Sequence, residues 1–135
     1  MKSINLKQAN DVIRAARKRA KEINVPMNIA VVDAGNNLVA FGRMDGAWLG
    51  SIDIAMNKAY TARSFNMSTR TLKPLCQSGQ PLFGIHASNQ GRLIIFDGGI
   101  PIKDGDEVVG AIGVSGGSIE QDHDVAEAGV KGYDC

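Results

Sequence analysis

The sequence predicts an α+β fold with a mostly antiparallel sheet, and three observations support this prediction. A β-hairpin lies near the start of the chain, two helical segments follow it, and further strands joined by a tight turn come next. Strands that follow one another through tight turns pair antiparallel, and helices then cover their apolar face. The regular alternation of strand and helix that builds a doubly wound parallel sheet is missing. The 135 residues suit a single domain over 1–135.

The first helix has the clearest signals. Apolar residues recur at steps of three and four from Leu6 to Ile23, which is the period of a helix with one buried face. Asn5 with Gln8 is a typical start signal, and Pro26 shows that the helix must have ended before it.

A hairpin and a second helix come next. The predicted ranges are strands at 27–33 and 38–43, a turn at 34–37, and a helix at about 47–65. Asp45 is predicted to cap this helix. Its apolar stripe starts at Trp48 and continues through small residues to Ala62, so we expect it to lie close against a sheet or another helix.

The C-terminal half is predicted to add three strands and the last helix. The ranges are a short helix at 69–77, an irregular stretch at 78–91, and strands at 92–96, 100–103 and 108–115. Gly116 and Gly117 free the backbone to turn after the last strand, because glycine has no Cβ. Ser118 with Gln121 forms a capping box for the final helix, and Gly129 is its predicted stop.

Charge and cysteine content set limits on function. The net charge is +1, which argues against a dedicated nucleic-acid binder. Residues 1–24 carry a net charge of +5, and residues 97–135 carry a net charge of −7. We therefore expect the two terminal helices to lie near each other within a subunit or to meet across subunits. The alternative is that the charges steer a charged ligand. Cys76 and Cys135 form no CxxC motif, so we expect two free thiols, with a disulfide to Cys135 as the alternative.

No secretory signal or bilayer-length apolar run is apparent, so we expect a cytoplasmic protein that does not contact a membrane.

The strand-to-helix corner is the first candidate site. A strand that feeds a helix through Ser115, Gly116 and Gly117 leaves unpaired backbone N–H groups, which suit an anion or a cofactor. Lys58 lies in the small-residue stripe of the second helix, where a neutral residue would be expected. Its ammonium either reaches a surface or points into a pocket and binds an anionic group. We predict that Lys58 faces this corner.

His123 is the candidate metal ligand. It lies between Asp122 and Asp124 at the start of the last helix, and a carboxylate on the remote ring nitrogen is the usual support of a ligating histidine. Imidazole is also a common axial ligand of haem iron. A solvated helix residue would show the same pattern, and His86 in the long loop is the alternative ligand.

Four segments together resemble the GlcG/HbpS family, also described as haem-degrading or PduO C-terminal-like domains. The matching segments are VVDAGNNLVAFGRMDGA at 31–47, Ser51 with KAYTA at 58–62, GGIPI at 98–102, and GAIGVSGGSIEQDHDVAEAG at 110–129. The resemblance covers nearly the whole chain. It implies a profilin-like three-layer α/β/α fold, a mostly antiparallel five-stranded sheet and a homo-oligomer.

The resemblance also implies functions. Some members bind haem, and related domains are fused to corrinoid adenosyltransferases. The first helix here has Lys18 and Lys21 but no histidine, so a haem ligand from that helix is not available. We therefore expect a haem- or tetrapyrrole-binding accessory protein, with Lys58, Ser115, Gly116, Gly117 and His123 at the ligand. The alternatives are an enzyme or chaperone acting on a corrinoid cofactor, and a structural protein without a ligand.

Overall fold

A computed structural model describes residues 1–134 and consists of one sheet with helices on both faces. Its helices are α1 (Leu6–Glu22), α2 (Gly50–Phe65), α3 (Thr69–Leu72) and α4 (Ile119–Lys131), and its strands are β1 (Asn28–Asp33), β2 (Leu38–Arg43), β3 (Gly99–Asp104) and β4 (Glu107–Ser115). Short 3₁₀ turns occupy Lys73–Cys76, Ile85–Ala87 and Asn89–Gly91. The α+β prediction is confirmed.

The sheet has four strands in the order β2-β1-β4-β3, and every pair is antiparallel. The predicted fifth strand at 92–96 is wrong, because this segment forms no strand among the described residues. Its Leu93 side chain is buried, yet the Ile94 N–H donates to the Thr61 hydroxyl of α2 at 3.0 Å. The Thr61 hydroxyl thus accepts the hydrogen bond that the Ile94 N–H would donate to a neighbouring strand in a sheet.

The two faces of the sheet carry different cores. Large residues of β1 and β4, such as Ile29 and Ile112, pack with α1 and α4. Alanine and valine residues on the opposite face, such as Ala30, pack with the alanines of α2. Successive side chains of a strand point to opposite faces, so β1 serves both layers. The result is three layers, with α2 on one side and α1 with α4 on the other.

Glycine in β4 lets α2 approach the sheet closely. A Cβ on Gly113 would overlap the Ala55 carbonyl oxygen and the Ala59 amide nitrogen, which are backbone atoms of α2. The small stripe of α2 therefore packs against the sheet, which is one of the two placements expected for it.

Some predicted boundaries and contacts are corrected. The second helix begins at Gly50, Asp45 does not cap it, and Leu49 holds the N-cap position without a side-chain hydrogen bond. Trp48 is therefore outside the helix and 68% exposed. The last helix continues through Gly129 to Lys131, because Gly129 packs against Ile112 and Ala16 rather than ending it.

The basic first helix and the acidic last helix contact each other within the subunit. α1 packs alongside α4, and Arg19 of α1 forms an ion pair with Asp124 of α4 at 3.0 Å. Cys76 is a buried free thiol, and the predicted alternatives for Cys135 lie outside the described residues. No helix among residues 1–134 is long and apolar enough to span a bilayer.

Candidate functional site: the β4–α4 corner and its surroundings

The β4–α4 corner is built by local sequence signals. Gly116 has a φ of 155°, and a Cβ there would contact the Pro26 carbonyl oxygen, so the turn requires glycine. Ser118 then starts α4: its side chain accepts from the Gln121 N–H, and the Gln121 side chain accepts from the Ser118 N–H. This capping box fixes the first turn of α4 against the end of β4.

Within this corner, Asp122 supplies the anion. One carboxylate oxygen of Asp122 accepts from the Gly117 N–H at 2.9 Å, and the other accepts from the Lys58 ammonium at 2.8 Å. Lys58 also donates to the Val114 carbonyl oxygen at 2.9 Å. The structure therefore brings Lys58 and the glycine corner together on a carboxylate of the chain itself. Ser115 is buried at the end of β4 beside them.

This ion pair is deeply buried. The side chain of Lys58 is 0% exposed and that of Asp122 is 4% exposed. Burial lowers the pKa of Lys58, and the nearby Asp122 carboxylate only partly offsets that effect. Burial likewise raises the pKa of Asp122 despite the neighbouring ammonium. Both shifts show that removal from water is the dominant influence on the pair.

The surroundings of Lys58 keep water away from it. The Phe96 ring centre lies 5.0 Å from the Lys58 nitrogen, which allows a cation–π contact. Gly98 leaves room for the lysine, because a Cβ there would be 2.8 Å from that nitrogen. Next to Phe96, Asp97 binds Arg70 through one oxygen at 2.7 Å, while its other oxygen is buried without a hydrogen-bond partner.

His123 lies one residue beyond this pair and has a different environment. Its side chain is 10% exposed, and its Nε2 is 3.6 Å from Glu127. Its Nδ1 is buried and has no hydrogen-bond partner. The expectation that Asp122 and Asp124 orient the ring is wrong, because Asp122 binds Lys58 and Asp124 binds Arg19.

His86 is the accessible imidazole. It is exposed in the loop after α3, and its ring lies edge-on to Phe83 with 6.0 Å between the ring centres. His86 lies in the 3₁₀ turn Ile85–Ala87, whereas His123 lies in α4. The two histidines are therefore separate candidates for binding a metal.

The family model for the haem-degrading protein HbpS-like family matches residues 4–131. The chain belongs to this family. This assignment confirms the resemblance carried by the four segments at 31–47, 51–62, 98–102 and 110–129.

Relatives of this HbpS-like chain differ in length and description. A 15.0 kDa protein from the dhaT–dhaS intergenic region of Citrobacter freundii is 42% identical over 98% of this chain and 92% of that protein. The corrinoid adenosyltransferase PduO of Citrobacter freundii is 36% identical over 95% of this chain, which spans only 38% of PduO. The solved PduOC:haem complex is 32% identical, with a TM-score of 0.92 over 96% of this chain and 94% of that one.

The HbpS-like chain also carries an exposed basic surface on α1. Arg14, Arg17, Lys18 and Lys21 line a shallow depression there together with Glu22. Within residues 1–134, Arg14 pairs with Asp11, while Arg17, Lys18 and Lys21 form no ion pair. These three cations are free to bind an anion from outside the subunit. No group of three or more His, Cys, Asp or Glu residues suited to a metal ion lies in this part of the chain.

Sequence reasoning missed the role of Asp122. The sequence predicted that the corner binds an anion, but it did not predict that this anion is a carboxylate of the chain itself. The available signal was a lysine in an otherwise uncharged stripe, since a buried cation requires a carboxylate partner. Several acidic residues could have supplied it, and only the packing of α4 against β4 selects Asp122.

Proposed function

We propose that this protein binds haem as a cytoplasmic homo-oligomer and acts as an accessory protein. The observation that carries the proposal is the similarity to the PduOC:haem complex over nearly the full length of both chains. The description of the family as haem-degrading points to the same ligand. A second macrocycle, the corrinoid, is the alternative, because the chain is also similar to part of a corrinoid adenosyltransferase.

The residues present provide two kinds of contact that a haem requires. Its propionates need cations, and Arg17, Lys18 and Lys21 of α1 are exposed and unpaired within residues 1–134. Its iron accepts imidazole nitrogen as a ligand. In His123 the accessible nitrogen is Nε2, and Glu127 next to it is 60% exposed. The carboxylate can therefore rotate into water and leave Nε2 free to bind iron.

The corner residues would serve this ligand by positioning α4. Lys58 and Gly117 hold Asp122, the residue before His123, with hydrogen bonds of 2.8 and 2.9 Å. Ser115 and Gly116 set the direction in which the chain leaves β4. Direct contact of Lys58, Ser115, Gly116 and Gly117 with a ligand stays a prediction. The Lys58 ammonium and the Gly117 N–H already donate to the Asp122 carboxylate.

Titration of the purified protein with hemin tests the proposal. We expect a saturable shift of the Soret band. If iron binds nitrogen, His123→Ala abolishes the low-spin spectrum and His86→Ala does not. A low-spin spectrum that is lost only in His86→Ala would show that His86 of the loop is the iron ligand. Absence of saturable binding by the unaltered protein would contradict the proposed function.

The corrinoid alternative is tested in parallel by titration with cobalamin. Tight cobalamin binding without hemin binding would favour the corrinoid function. Failure to bind either macrocycle would favour a structural role without a ligand.

A further inference from the structure

β2 forms one edge of the sheet, and its outer side offers backbone groups to a further strand. The order β2-β1-β4-β3 leaves β2 and β3 as the two edges. The Met44 N–H donates to the Met27 carbonyl oxygen at 3.0 Å, which makes these two residues a hydrogen-bonded pair of the β1–β2 ladder. Hydrogen-bonded and non-bonded pairs alternate along an antiparallel ladder. The N–H and C=O groups of Phe41 and Arg43 therefore point away from β1.

The opposite edge of the sheet is less suited to strand addition. β3 contains Pro101, which has no N–H, and proline on an edge strand discourages pairing with another chain. β2 has the sequence LVAFGR, without a proline or a lysine. Its pairing with β1 is regular over 40–43, since the register shift lies at the Val31/Val32 end. The segment at 40–43 is therefore the edge that an added strand would use.

A groove lies beside this edge, between β2 and α1. It has a volume of about 360 Å³, and Arg17 and Lys21 of α1 line it together with residues 43–45. Gly42 faces α1, because a Cβ there would be 3.3 Å from the Ile13 side chain. Successive side chains of a strand point to opposite faces of a sheet. An added strand would therefore direct every second side chain to the face that carries Arg17 and Lys21.

The groove carries a net positive charge. Three of its lining residues are cations, Arg17, Lys21 and Arg43, and Asp45 is the one carboxylate among them. Within residues 1–134, Arg17 and Lys21 form no ion pair, and the Arg43 guanidinium donates to the Ala47 carbonyl oxygen. These cations suit the carboxylates of a partner. A second copy that paired its own β2 here would bring like charges together, so the charge favours an acidic partner instead.

We propose that the edge of β2 binds an extended acidic peptide segment of a partner protein by strand addition. Phe41 and Arg43 supply the backbone hydrogen bonds, and Arg17 and Lys21 bind carboxylates at alternate positions of the peptide. Main-chain bonds give affinity in this mode of recognition, and the side chains at alternate positions give specificity. The inference goes beyond haem binding and does not depend on it. Since Arg17 and Lys21 are also the cations proposed for the haem propionates, the peptide is tested without hemin.

The test is an anisotropy titration of the unaltered protein with a fluorescent ten-residue peptide of alternating glutamate and threonine. The control peptide has the same sequence with N-methyl groups on its four central residues, which removes N–H donors on both sides of the strand and keeps the charge. We expect saturable binding of the first peptide and roughly tenfold weaker binding of the second. Equal affinity for both would overturn the inference, because charge alone would then explain the binding. Absence of saturable binding of the first peptide would overturn it as well.

Two variants at one position separate the backbone donor from the charge. Arg43→Gln and Arg43→Pro both remove the cation, but only proline removes the outward N–H. Arg43→Pro should therefore bind the peptide roughly three- to tenfold more weakly than Arg43→Gln. Arg17→Gln and Lys21→Gln should each weaken binding roughly two- to fivefold, whereas Lys103→Gln, at an exposed cation of β3, should leave it unchanged. Equal affinities of the two Arg43 variants would contradict strand addition.

Sedimentation equilibrium of Arg43→Pro tests a second copy as the occupant. A mass below that of the unaltered protein would show that β2 lies between copies of this chain, which overturns the peptide site. An unchanged mass and an unchanged urea midpoint support the inference, because the weaker peptide binding is then due to neither dissociation nor unfolding. Where the proline lowers the urea midpoint, the comparison of the two peptides on the unaltered protein decides.

Discussion

At the scale of single residues, the Lys58–Asp122 pair is the most consequential feature. Two buried charges each lose their hydration, and their attraction compensates only when the geometry and the remaining hydrogen bonds are good. Here the ammonium reaches both Asp122 and Val114, and the carboxylate also accepts from Gly117. Removal of one partner would leave the other charge buried and unpaired.

Lys58→Met should therefore destabilise the protein by about 3–5 kcal/mol, whereas Lys58→Met combined with Asp122→Asn should recover part of that loss. Asparagine keeps an acceptor for the Gly117 N–H but carries no charge. Lys18→Met is the surface control and should change stability by less than about 0.5 kcal/mol. Urea unfolding measures all three, and a double variant no more stable than the single one would contradict a buried charge penalty.

The effect of Lys58→Met on stability should depend on pH. Burial already raises the pKa of Asp122 and Lys58 counteracts this, so loss of Lys58 raises that pKa further. A group with a raised folded-state pKa takes up its proton first in the folded protein, which gains stability as pH falls through that pKa. The stability deficit of Lys58→Met should shrink as pH is lowered from about 8 to about 5. A deficit that grows on acidification would exclude this explanation.

At the scale of elements, the contact between α2 and the sheet depends on the absence of a side chain in β4. A methyl group on Gly113 would meet backbone atoms of α2, which cannot rotate away as a side chain could. Helix and strand would have to separate, and the alanine layer between them would lose its packing.

Gly113→Ala should consequently lower the free energy of unfolding by about 1–3 kcal/mol or more. Gly50→Ala is the matched control, because a Cβ added at Gly50 would meet no atom within 4 Å apart from its chain neighbours and the backbone of its own helix. Gly50→Ala should be neutral or slightly stabilising, since alanine costs less backbone entropy than glycine. Equal urea midpoints for the two variants would show that α2 does not approach β4 this closely.

At the scale of the whole molecule, the isolated subunit exposes a pair of large apolar side chains. Trp48 and Leu49 are 68% and 72% exposed, and they are adjacent in the segment before α2. Aromatic residues are enriched in protein interfaces and often dominate their energetics. This surface is consistent with the homo-oligomer that we propose.

Sedimentation equilibrium at micromolar concentration should give a mass that is an even multiple of 14.3 kDa, because twofold symmetry is the commonest. Trp48→Arg should reduce that mass if Trp48 lies in the contact. Leu38→Arg, at a 51% exposed apolar residue of β2, is the matched comparison. A monomer of the unaltered protein would contradict the prediction, and dissociation by Leu38→Arg alone would place the contact at β2.

The sequence by itself determined the features that depend on neighbours along the chain. The caps at Asn5 and Ser118, the hairpin at 28–43 and the glycine turn at 116–117 all use hydrogen bonds or backbone freedom within a few residues. Such local interactions can be recognised from residue type and spacing alone. The α+β class followed from the order of these elements, and the family from four short segments.

Only the tertiary structure decided which distant groups meet. The segment at 92–96 reads as a strand, but its backbone donor at Ile94 goes to Thr61 of α2. Lys58 pairs with Asp122, which is 64 residues away in the sequence, and the Tyr60 hydroxyl accepts from Arg92, which is 32 residues away. The pattern of residue types near each group does not specify such partners, because the free energy of a buried contact depends on the packing that excludes water around it.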